Sequence, residues 1–195
     1  TQAKATSALD QIAACLRDPL SDVRFEAVTA VAALNDSPAD VAERISPLLD
    51  DEDTRVSARA ASTLLRLSAP FGKRGKDKQM LEKARSFLRY TSAMGTLADR
   101  EHAILAMGDW GDIEAFNFLV NELHDRALPI SIRRVLLLAL ARIGPDPSMP
   151  YLIDALEHSD VSIRETAADL LGEIGQPPMD PVLGALQNPK REEGA

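Results

Sequence analysis

The chain has 195 residues, of which 29 are Ala and 26 Leu, with 4% aromatic residues, one Cys and a formal charge of −8. Strands favour β-branched and aromatic side chains, so this composition excludes a sheet-dominated protein, and a lone Cys15 excludes an internal disulfide framework or a thiolate metal cluster. The longest unbroken apolar run, residues 135–141, falls far short of the roughly 20 residues of a bilayer crossing, and the acidic balance repels nucleic acid and anionic membranes unless basic residues are segregated.

Taken in order, the predicted elements form a repeat. A first helix over residues 12–16 leads through the acidic turn Asp18-Pro19 to a second helix opening on Asp22-Val23-Arg24-Phe25-Glu26-Ala27. The next copy has a first helix over residues 41–49, the turn Asp50-Asp51-Glu52-Asp53 and a second helix around Arg55. From Arg55 to Arg100 is 45 positions, against 31 from Arg24 to Arg55, so the third copy, with its first helix over residues 80–88, follows an insertion of 14 residues. In the fourth copy Phe118-Leu119-Val120 and Leu123 precede Arg133; in the fifth, 33 positions later, Tyr151-Leu152-Ile153 and Leu156 precede Arg164.

Relative to each Arg, position +3 is Ala27, Ala58, Ala103, Leu136 or Ala167, and position +6 is Ala30, Ala61, Ala106, Ala139 or Leu170. Position +10 is Leu34, Leu65, Trp110, Ile143 or Ile174. At about 100° per residue, offsets −1, 3, 6, 7 and 10 share one face, so each second helix buries a stripe that is small at its centre and admits a close neighbour. Gly111, Gly144 and Gly175 stand at +11, where a helix end often turns left-handed. The turn carboxylates sit where helix starts want an acceptor and a negative charge. The repeated Arg is expected to reach a turn carboxylate of the adjacent copy.

This pattern, from Leu152 and Leu156 through Asp160, Ile163-Arg164, Ala167 and Leu170-Leu171-Gly172 to Ile174-Gly175, resembles a HEAT repeat. It is most similar to the short, Gly-terminated type found in phycobiliprotein lyases; Pro47, Pro150 and Pro181 also match the Pro frequent in first helices of that family. The resemblance covers roughly residues 6–187 and implies an all-α, right-handed solenoid of helical hairpins. The expected organisation is repeats 1–2 over residues 1–68, a basic insertion over 69–77, repeats 3–5 and the first helix of a sixth over 78–188, and a disordered tail over 189–195, all in one continuous domain.

No nucleophile elbow, dinucleotide fingerprint or phosphate loop occurs. Glu101-His102 and Glu157-His158 occupy non-equivalent repeat positions, and His124 and His158 end first helices, where an imidazolium suits the helix dipole. No catalytic, cofactor or metal site is therefore expected. Two partner surfaces are. Offsets +1, +5 and +9 should line the groove of such a solenoid, and the apolar residues there, Phe25, Val56, Leu64, Leu105 and Leu138, suit a peptide or amphipathic helix. Crowding by neighbouring helices, or the insertion folding over them, is the competing account of these residues. The second surface is the stretch from Lys73 to Arg89, which carries +5 and leaves −13 elsewhere; Lys73, Arg74, Lys76, Lys78 and Lys83 would meet an anionic surface.

The resulting expectation is a non-enzymatic scaffold or adaptor with a protein partner, neither nucleic acid nor membrane being expected. The first ten residues lack the features of a secretory signal, which points to the cytoplasm. The alternative implied by the resemblance is a bilin-lyase-like enzyme or accessory subunit presenting a tetrapyrrole or its acceptor protein.

Overall fold

A computed structural model describes residues 10–34, 37–67 and 75–175. Its regular elements are α1 (residues 10–14, running into a 3-10 turn at Cys15–Arg17), α2 (Ser21–Leu34), α3 (Pro38–Ile45, followed by a 3-10 turn at Ser46–Asp50) and α4 (Thr54–Arg66). After these come α5 (Gly75–Met94), α6 (Leu97–Trp110), α7 (Ile113–Leu123), α8 (Ile130–Ile143), α9 (Pro145–Ala155) and α10 (Val161–Ile174). Among the described residues there is no strand, and no helix is long and apolar enough to cross a membrane. The fold class is that of the expected all-α, HEAT-like stack of hairpins.

The helices gather into two compact units, Thr1–Trp110 and Gly111–Ala195. In the first, the second helices α2, α4 and α6 pack in series, and α5 lies against both α4 and α6. Helix α4 also meets α3 and its 3-10 turn, so it is enclosed on every side and buries nine residues, Val56 and Leu64 among them. In the second unit α8 packs on α7, α9 and α10, and α9 on α10. Its core centres on Leu137, Leu152, Leu156, Ile163 and Ala167.

The repeat register predicts this burial well. Positions +3 and +7 are buried in all five copies, the latter being Val31, Ser62, Met107, Leu140 and Leu171. Position +6 fails only in the first copy, where Ala30 is half-buried, and position +10 is buried only at Leu65 and Trp110, with Ile143 and Ile174 half-buried and Leu34 58% exposed. Among the described helices α2 has a second-helix neighbour on one side only, which leaves that flank open.

The expected ladder holds for two of the five repeated arginines, Arg24 and Arg55. Arg24 bridges copies, its Nε and Nη2 donating to both carboxylate oxygens of Asp51 at 2.8 and 2.7 Å, and Arg55 reaches back to Asp22 at 2.9 Å. Arg100 instead donates to the Ser92 carbonyl, Arg133 to the carbonyls of Leu123 and Asp125, and Arg164 to those of His158 and Ser159. Arg24 also donates to the carbonyls of Asp18 and Pro19. The last carbonyls of a helix have no intrahelical donors, and in four copies the Arg in the first turn of the second helix binds carbonyls at the end of its own first helix or in the turn that follows; Arg55, which bonds Asp53 and Ser21, is the exception. The neighbouring turn carboxylates are otherwise engaged: Asp125 accepts the Ala127 N–H and Asp160 caps α10 through the Ser162 N–H.

Gly111 and Gly175 take the expected left-handed backbone, at φ 77° and 68°. Gly144 is extended, and its lack of a side chain matters for a different reason, because a Cβ there would lie 2.8 Å from Cγ of Pro147.

The division between Trp110 and Gly111 differs from the single continuous domain with a break at 69–77. Helix α5 starts inside that expected linker and belongs to the first unit's packing. Residues 68–74 and 176–195, which include the rest of the insertion, the expected sixth first helix and the tail, lie outside the described residues.

Candidate protein-binding surfaces

The five residues expected to line a groove separate into three groups. Val56 and Leu64 are wholly buried within α4, which corrects their assignment to a partner surface. The cause is the enclosure of α4 by α2, α3, α5 and α6, so that the face left for a ligand in the simple register is used for packing. Phe25 is half-buried, and the Arg59 guanidinium stands 4.6 Å from the centroid of its ring. Arg59 Nη1 also donates to Asp109 at 2.9 Å. One side chain on α4 thereby ties α2 to α6, through a cation–π contact and an ion pair. Leu105 on α6 and Leu138 on α8 are half-buried, one in each unit.

In the second unit the same register leaves an open surface. Arg134 and Arg142 flank Leu138 at spacings of four and are exposed, and on α10 Glu165, Asp169 and Glu173 follow the same spacing and are exposed. Arg134 Nε donates to Thr166 Oγ1 at 2.8 Å, which holds the two helices side by side. A basic row interrupted by Leu138 therefore runs beside an acidic row. The two arginines were legible at offsets +1 and +9 of the fourth copy, but a search for apolar groove residues passes over them.

Of the basic stretch, Lys73 and Arg74 lie outside the described residues, and Lys76 falls in the first turn of α5. Lys78 and Lys83 are exposed, with Lys83 Nζ paired to Asp50 across the furrow between α5 and the 3-10 turn after α3. That furrow, of about 600 Å³, has Ala39, Ala42, Leu49 and Met80 along its floor and Glu43, Asp77 and Lys83 at its rim.

The turn carboxylates are structural. Hydrogen bonds from Arg55, then from Ser21 and the Arg55 N–H, hold the Asp53 carboxyl well below the usual range, and Asp53 and Asp22 in turn raise Arg55. Asp99 is lowered by the hydroxyls of Thr96 and Thr54, and Asp160 by that of Ser162. His158 Nδ1 accepts the Asp160 N–H at 3.0 Å. Among the described residues no three His, Cys, Asp or Glu side chains converge as a metal site would require.

A family model of HEAT repeats matches residues 117–193. The match begins within α7 and covers the part of the chain where the repeat is most regular; it is to HEAT repeats in general and does not single out the Gly-terminated lyase type. No curated protein matches the sequence.

Proposed function

We propose that the chain is a non-enzymatic protein-binding scaffold that docks a partner peptide or helix on the second-helix face of Gly111–Ala195, with Leu138 as apolar contact between Arg134 and the acidic row of α10. The observation that carries this reading is the placement of half-buried Leu138 beside the exposed Arg134, Glu165, Asp169 and Glu173 on two helices fixed by the Arg134–Thr166 bond. A partner helix with a narrow apolar seam and opposite charges on its flanks would meet both rows, and complementary potentials of this kind govern partner choice and association rate. HEAT repeats commonly mediate protein–protein interaction, which agrees with the match over this unit. In the first unit Leu105 is the corresponding open position, whereas Val56 and Leu64 drop out as core residues and Phe25 is shielded by Arg59.

The test is capture of partners by the wild-type chain and by Leu138→Asp and Leu105→Asp, each checked for helicity by circular dichroism. Loss of the same proteins on Leu138→Asp is expected. Retention of an unchanged partner set by the folded variant overturns the assignment of this face.

A further inference from the structure

We infer that the face of α8 and α10 docks on the same face of a second copy of this chain, an inference that rests on the reading of that face proposed above and commits it to one partner. Arg134, Leu138 and Arg142 stand at offsets +1, +5 and +9 of the fourth copy, and Glu165, Asp169 and Glu173 at the same offsets of the fifth. Residues four apart follow one another along one side of a helix, so each set makes a row. Gly144 alone separates α8 from α9, and residues 156–160 separate α9 from α10. Packed helices joined so briefly run antiparallel, which makes α8 and α10 parallel to each other. The bond from Arg134 Nε to Thr166 Oγ1 sets their register and brings Arg134 level with Glu165. The two rows thus start together and run for the same length, about 12 Å for eight residues.

Rows placed in this way are complementary to themselves. A two-fold axis parallel to the helices and midway between the rows turns the face onto its copy, so that each basic row covers an acidic one. Arg134 then lies opposite Glu165 of the second copy, and Arg142 opposite Glu173. Every contact of such an isologous pair occurs twice. An axis across the helices would set like charges together. The side chains are placed to respond: Arg134 and the three acids are exposed, and among the described residues none of the four is in an ion pair. Arg134 spends its Nε on a neutral hydroxyl, which leaves its charge uncompensated. The axis leaves one mismatch, Leu138 opposite Asp169 of the second copy.

A foreign helix would satisfy both rows only if it carried both signs at this spacing, whereas a second copy carries them already. The formal charge of −8 opposes association, but charges farther apart than about 8 Å are largely screened at physiological ionic strength, and the paired rows lie closer than that. A strip two helices wide is at the small end of protein interfaces, which fits a weak and reversible dimer.

Sedimentation equilibrium of the whole chain, over a concentration series reaching the millimolar range, tests this with Arg134→Glu and Glu165→Arg. Both positions are exposed, and circular dichroism checks that the variants stay folded. The wild type should dimerise reversibly and less so with added salt. Each variant alone sets like charges opposite one another and should associate about tenfold more weakly. An equimolar mixture of the two restores opposite charges at both symmetry-related contacts, and it should recover wild-type association. Asp169→Leu removes the mismatch and should tighten the dimer several-fold. The inference is overturned if the wild type stays monomeric throughout, if either variant dimerises as well as wild type, or if the mixture associates no better than its components. The docking face itself answers to a different readout, the loss of foreign partners on Leu138→Asp, so a monomeric wild type that still captures them sinks the second copy and keeps the face.

Discussion

In Thr1–Trp110 the charged side chains of the second helices are turned on one another. Arg24 grips Asp51, Arg55 lies between Asp22 and Asp53, and Arg59 joins Phe25 to Asp109. In Gly111–Ala195 the corresponding helices hold their Arg133 and Arg164 against backbone carbonyls of their own copies, while Arg134 and the acidic row of α10 stay exposed. The two stacks thus differ: the first engages more of the charged side chains of its second helices within itself, although Arg100 binds a backbone carbonyl as Arg133 and Arg164 do, and the second leaves Arg134 and the acidic row of α10 exposed. In the first unit α4 is enclosed by α2, α3, α5 and α6, and its two expected contact residues, Val56 and Leu64, are core.

The largest effect that would break this contrast is at two leucines of the same expected groove face, Leu64 at offset +9 and Leu138 at offset +5. Leu64→Ala should cost about 2–5 kcal/mol, the range for emptying a buried leucine site, and Leu138→Ala should cost well below that because the side chain is half-buried. Urea unfolding monitored by the single Trp110, which is buried in the first unit, and by circular dichroism checks both; equal costs would show that the two positions are equivalent after all.

Arg59→Ala comes next. It removes the Asp109 pair and the contact with Phe25, both partly exposed, and should destabilise the first unit by about 1 kcal/mol. It should also uncover Phe25. A variant of unchanged stability would mean the tie between α2 and α6 is incidental.

Acid should produce the smallest difference. Asp53 and Asp99 in the first unit and Asp160 in the second all have carboxyls held below the ordinary value near 4. A group depressed in the folded state contributes stability that is present above its unfolded pKa and is lost as pH falls towards its folded one. Both units should therefore hold constant stability from neutral pH down to about pH 5 and weaken below it. The first should weaken more, which Trp110 fluorescence followed against pH would detect; equal loss in both units would remove the contrast.

Much of the fold was legible. The Ala at +3 and +6, the apolar +7 and +10 positions and the 31- and 33-residue spacings gave the helices and the buried stripe, because a helix that packs on a like neighbour needs the same small surface in every copy. Turn acids at Asp53 and Asp160 were readable as caps for the same local reason. The candidate surfaces were only half legible. Lys78 and Lys83 are exposed and Leu138 is half-buried, whereas Leu64, assigned to the same groove face, is wholly buried, and the register does not foretell that difference.

The sequence by itself determined what each helix buries along its own length, since period, small residues and caps act within a few turns of chain. Only the tertiary structure decided which faces stay open. Exposure depends on what packs from far along the chain: α5 on α4, Asp109 on Arg59 fifty residues earlier, and Asp51 on Arg24. The side chains left over after those contacts, Arg134, Leu138 and the acids of α10, are the ones available to a partner.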